Sequence, residues 1–207
     1  MSMELKETRQ RVAEEAARLI YDEGYRDYRL AKLKAAQRLG AATQGKNQPG
    51  NEEIERALLD YISLFADEEQ RSILRQHREI AVEAMEFLHS FEPQLTGAAL
   101  TGTSGPQSAV TLFLYANRAE DVIFFMEEAR IPFQTHERKV RFGKKQDYYP
   151  LLRFYVDDVE VELLVFPDNG ERQQAPLSPI TGKGTKSADL AKARQLLEST
   201  DTEFDQD

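Results

Sequence analysis

Cysteine is absent from all 207 residues, so disulfides and Cys-ligated zinc are excluded and no catalytic thiol is available. Histidine is scarce, with three copies at His77, His89 and His136. His77 and His89 lie twelve residues apart, too far for an i, i+4 metal pair on one helix. His136 neighbours Glu137 on an expected strand, where adjacent side chains point to opposite faces. All three are therefore assigned to structure or surface. No GxSxG or HExxH pattern occurs. No apolar run approaches the roughly 20 residues that span a bilayer, so no membrane partner is expected. The first residues, MSMELKETRQRVAEEA, are charged and lack an apolar stretch. A cytoplasmic location without a secretory leader is the resulting expectation.

What is present fits a globular chain: 41% hydrophobic and 30% charged residues, with a net charge of -9. That sign makes nucleic acid an unexpected main partner, because counterion release needs clustered Lys and Arg. One local cluster exists in Lys139, Arg141, Lys144 and Lys145, and a solvated hairpin is its simpler explanation.

Periodicity divides the chain near residue 92. Val12, Ala16, Leu19 and Ile20 define one helical face, stopped by Gly24, and a second short helix starts around Leu30 and ends at Gly40. Residues 41–50 read as loop, with Asn51 capping a third helix faced by Ile54, Leu58, Tyr61, Ile62 and Phe65. Asp67 and Gln70 suggest a capping box for a fourth helix, which ends before Pro93. Tyr21, Tyr25 and Tyr28 read as packing residues. Beyond lie a short apolar segment at Leu95–Leu100 and a strand at Val110–Tyr115. A helix follows at Glu120–Arg130, then a strand at Phe133–Phe142 and a hairpin turning at Asp157-Asp158. Residues 167–184 read as loop and Ala188–Glu198 as a last helix. The expected class is α+β, with a helical region at 1–91, a mixed sheet with flanking helices at 92–198, and an acidic, disordered tail at 199–207.

The stretch TGTSGPQSAVTLFL (Thr101 to Leu114) carries the most chemical information. A glycine-rich loop before a strand can offer backbone N–H groups to phosphate oxygens, although a tight turn between strands needs glycine as well. In VEVELLVF, Glu160 and Glu162 share one strand face, which is commonly solvated. Lys183 and Lys186 in TGKGTK could meet phosphates as point charges, but the glycine spacing is not that of a Walker A loop, and a solvated loop is the simpler reading.

Five pieces of the chain, in order, resemble bacterial nucleotidyltransferase-like proteins of the polymerase-beta superfold. They are Glu14 to Gly40, Pro49 to Phe65, LTGTSGPQSAVTLFLYA (Leu100 to Ala116), VEVELLVFP (Val159 to Pro167) and LSPITGKGTKSADL (Leu177 to Leu190). The resemblance implies Mg²⁺ and a nucleoside triphosphate as cofactor and substrate, held by two carboxylates two residues apart and a third on a neighbouring strand. The matching first two positions are Ala109 and Thr111, neither of which is a carboxylate. The third is Glu162, expected as catalytic acid and metal ligand, with Glu160 as a substitute ligand on the same face. Gly102, Thr103, Ser104, Ser108 and Lys183 are the expected nucleotide contacts. Three functions follow: a degenerate nucleotidyltransferase with a nucleotide or phosphate pocket, a module binding a protein partner through its helical half, or a transferase using Glu160 with Glu162.

Overall fold

A computed structural model describes residues 3–25, 27–42, 45, 48–65, 68–168, 175–178 and 182–204. The class is α+β, as expected. Seven α-helices and five strands are present among the described residues. None of these helices is long and apolar enough to cross a membrane. The chain divides into two compact units, Met1–Arg71 with Gly105–Gln107 and Ser72–Ser104 with Ser108–Asp207. The division thus falls upstream of the expected boundary at 92, inside the fourth helix.

The first unit is built on α1 (Met3–Glu23), α2 (Tyr28–Arg38) and α3 (Asn51–Phe65). Their facing stripes are rich in alanine, which lets helix axes approach closely: Ala13, Ala16 and Ala17 of α1, Ala31, Ala35 and Ala36 of α2, and Ala57 of α3 are buried with Val12, Leu19, Ile54 and Leu58. Tyr21, Tyr25 and Tyr28 pack against this core. Asp27 caps α2, its Oδ1 accepting from the Arg29 and Leu30 N–H groups at 2.7 and 3.3 Å. Asn51 is the first helical residue of α3 rather than its cap. The helix is closed instead by Glu53, whose carboxylate accepts from Gly50 N–H at 2.6 Å and from Arg9 Nε at 2.7 Å. The expected cap Asp67 lies outside the described residues.

The second unit holds a mixed sheet in the order β1-β2-β5-β4-β3, from β1 (Gln94–Thr96), β2 (Val110–Ala116), β3 (Gln134–Phe142), β4 (Lys145–Val156) and β5 (Val159–Pro167). Only β2 and β5 are parallel. Most of α4 (Glu68–Phe87), α6 (Ala119–Glu128) and α7 (Leu190–Phe204) share one core with one sheet face: Leu112, Leu114, Leu152, Leu163 and Val165 are buried among Met85, Leu88, Val122 and Met126. The hairpin turn Asp157-Asp158 is as expected, with both residues at positive φ (47° and 66°). β4 starts earlier than its apolar pattern indicates, because its polar first half pairs with β3 in a ribbon that runs beyond β5. Phe142 lies near the tip of that ribbon, yet its ring centroid is 5.5 Å from that of Phe166 on β5. The ribbon therefore coils back over the second sheet face, where Phe113, Tyr149 and Leu164 complete a small aromatic cluster.

Each sheet edge receives a short backbone contact. Leu177 N–H donates to Arg141 O of β3 at 2.7 Å, and Leu95 of β1 exchanges two bonds with Ala188. Two expectations are corrected in this unit. The segment before Gly102 is not a strand running into a tight turn: β1 ends at Thr96, and one helical turn, α5 (Ala98–Thr101), follows. The presumed tail from Ser199 instead continues α7 to Phe204. Thr200 is buried there because Arg78 reaches it, donating also to Leu196 O at 2.8 Å and Ala99 O at 3.1 Å. Burial of a guanidinium is tolerable only with its donors satisfied, and two carbonyls and the Thr200 hydroxyl serve as acceptors here.

Candidate functional site

Strand register assembles the site. Thr111 on β2 lies directly beside Glu162 on β5, which lies beside Arg153 on β4; Thr96 on β1 flanks Thr111 on its other side. Side chains in one such row share a sheet face, so Thr111 and Glu162 are neighbours on that face. The row belongs to the face that also carries the aromatic cluster.

The surroundings of Glu162 differ from the expectation of a solvated acidic face. Glu162 is 2% exposed. Its Oε1 accepts from Arg138 Nη2 at 2.6 Å and from Arg153 Nη2 at 3.1 Å, while Thr111 Oγ1 stands 3.5 Å from Oε2. Glu160 accepts from the Tyr155 hydroxyl at 3.1 Å, and Arg153 Nε lies 3.0 Å from its Oε1. Two arginines and two glutamates thus form a neutral lattice. Each guanidinium keeps roughly a quarter to a third of its side chain exposed.

This arrangement does not fit a divalent cation. Magnesium takes oxygen ligands in near-octahedral order and prefers carboxylates and water. Glu162 Oε1 already faces two positive groups. Thr111 is neutral, and Ala109, just before β2, has no ligating atom. Among the described residues no group of three or more His, Asp or Glu is arranged to hold a metal.

The expected nucleotide contacts each have a local structural setting. Gly102 is the left-handed cap of α5 (φ 80°), a conformation that favours glycine for backbone reasons alone. The Thr103 hydroxyl is 2.9 Å from that of Thr101, and Thr103 N–H donates to Ala98 O. Ser104 is fully buried, and its Oγ has no hydrogen-bond partner among the described residues. Ser108 is half-buried at the approach to β2. Gly105 belongs to the first unit, where a Cβ would sit 3.0 Å from the Tyr21 ring and 3.1 Å from its carbonyl oxygen. Close packing therefore accounts for that glycine. Lys183 is exposed, and its carbonyl accepts from Ser178 N–H at 2.8 Å.

A pocket of about 170 Å³ lies at the carboxyl ends of β2 and β5, lined by Ala116, Arg118, Tyr149, Phe166 and Pro167. It touches none of the expected site residues and is below the roughly 300 Å³ at which drug-sized ligand sites begin.

Arg138, Arg153 and Arg78 are the functional and structural residues that sequence reasoning missed. Arg153 had a signal: a cation inside the apolar strand LLRFYV, opposite VEVELL across a two-residue turn, demands an acidic cross-strand partner. Arg138 had none, because the coiling of the ribbon brings it to Glu162. No protein-family model, curated protein or solved structure matches this chain.

Proposed function

We propose that this chain is a catalytically silent nucleotidyltransferase-like protein, in which the corner that would hold metal has become an arginine–carboxylate lock. One observation carries the reading: the single acid at a matching position, Glu162, stands in register with Thr111 and is occupied by Arg138 and Arg153. The lock keeps a buried carboxylate satisfied without a metal, so loss of the paired acids leaves no unpaired charge. A nucleotide or phosphate contact, if retained, then relies on backbone N–H groups and lysine rather than on Mg²⁺. Pairing Glu160 with Glu162 as substitute ligands gains no support, since both carboxylates already face Arg153.

The second reading, a module for a protein partner, is favoured by the apolar surface of the helical unit. Leu30 and Leu33 lie one turn apart on α2 and are 45% and 38% exposed, and Leu64 at the end of α3 is 79% exposed. Calorimetric titration with ATP, GTP, CTP and UTP separates the two. Binding of any of them supports a retained pocket. Absence of binding by all four removes the pocket and leaves the protein-partner reading.

A further inference from the structure

The distal β3–β4 ribbon concentrates positive charge on a protein of net charge -9. Lys139 and Arg141 occupy alternate positions of β3 and so project from one face, about 6.8 Å apart by strand rise. Lys144 sits in the turn and Lys145 opens β4; all four are exposed. Glu137 and Asp147 are the acids of the same ribbon. Lys183 adds a fifth cation. Leu177 is bonded to the Arg141 carbonyl, and Gly182, whose Cβ position lies 3.8 Å from an Arg141 Nη, precedes the exposed Lys183. Two basic segments separated by nearly forty residues of sequence therefore meet on one surface. Opposite Lys139 on the ribbon, Tyr148 is 58% exposed, with the Lys139 ammonium 5.8 Å from its ring centroid.

We infer that this ribbon binds the phosphodiester backbone of a single-stranded polynucleotide. Phosphates are drawn to Lys139, Arg141, Lys144 and Lys183, and Tyr148 offers a ring on which a base can stack. An exposed aromatic beside a row of cations is the combination that single-strand binding uses, and stacking is indifferent to base identity. An anionic membrane fits the same charges less well, since the turn Gly143-Lys144 presents no apolar side chain for insertion. The acidic remainder of the molecule repels polyanions and confines the contact to this ribbon.

The test is fluorescence anisotropy of labelled 20-mers (oligo-U, oligo-dT and a mixed-sequence duplex) titrated with the full chain between 50 and 200 mM KCl. Both single strands are expected to bind, with log K falling against log[salt] at a slope of about -2 to -3 for three or four phosphate contacts. Charge reversal in Arg141→Glu/Lys144→Glu should weaken binding at least tenfold and flatten that slope, without moving the thermal midpoint. Tyr148→Leu should weaken it about fivefold or more at unchanged slope, a loss equivalent to one stacked base. No binding of either single strand at 50 mM salt overturns the inference. So does binding that survives the double reversal, which places the contact elsewhere. Tighter binding of the duplex overturns the single-strand assignment. Binding to phosphatidylserine vesicles without binding to either oligonucleotide reassigns the patch to membranes.

Discussion

His77 and Glu162 are both 2% exposed, and each makes a separate statement about stability. His77 has an Nδ1 without a partner among the described residues, and burial pushes its pKa down to about 4. The unfolded chain, with a histidine near 6.5, binds a proton that the folded chain refuses. His77 therefore contributes stability that is fully present above pH 6.5 and is lost as pH falls toward 4. Between pH 6.5 and 5 the loss from this group is about 2 kcal/mol. Urea unfolding at both pH values should show that this increment disappears in His77→Leu, while the part due to carboxylates remains. At Glu162, the substitution Glu162→Gln leaves Arg138 and Arg153 facing each other over a neutral amide. Removing one partner from a buried pair costs about 3–5 kcal/mol, and partial exposure of both guanidiniums reduces this to about 2–3 kcal/mol. The quadruple change Glu160→Gln/Glu162→Leu/Arg138→Leu/Arg153→Leu should recover much of it, because all four charges of the lattice are then removed together. A Glu162→Gln protein as stable as the parent would show that the lattice does not hold the fold.

Among the elements, those whose instructions are local were the legible ones. The stripes of α1 and α3, the stop at Gly24 and the turn at Asp157-Asp158 all follow from residues within a few positions of one another. α5 escaped notice because a single helical turn has no periodicity to read, and its cap Gly102 looks the same in sequence as a phosphate-loop glycine. The first half of β4 escaped because its polar residues Lys145, Gln146 and Asp147 pair with a ribbon partner and need no buried face. Gly105 shows the same limit, since its reason for being glycine is Tyr21, distant in sequence. The Asp157-Asp158 turn gives an element-scale prediction. Two residues at positive φ in a two-residue hairpin loop are better supplied by Asn-Gly than by Asp-Asp. Asp157→Asn/Asp158→Gly should raise the unfolding free energy by about 0.5–1 kcal/mol, read as a higher urea midpoint at unchanged slope. A lower midpoint would mean that the aspartates make turn contacts worth more than the relief of backbone strain.

For the whole molecule, fold class was legible and chemistry only in part. The resemblance implied a third acid on a strand neighbouring that of Thr111, whereas the direct pairing of Thr111 with Glu162 depends on strand register. Occupation of Glu162 by arginine did not follow, because it depends on how far the ribbon coils and on side chains from three strands. Charge is organised in two ways: a neutral arginine–glutamate lattice within the sheet face, and a cationic ribbon tip on an otherwise acidic chain. Only the first bears on whether the molecule performs phosphoryl transfer. The measurement that decides this most directly is calorimetric titration of the full chain with ATP in the presence and absence of Mg²⁺, repeated with Glu162→Gln. An arginine lock predicts that any affinity for ATP is the same with and without metal and is unaffected by the substitution in protein that remains folded. An affinity that rises at least tenfold with Mg²⁺ and loses that rise in Glu162→Gln would contradict the account, because Glu162 would then be ligating metal despite Arg138 and Arg153.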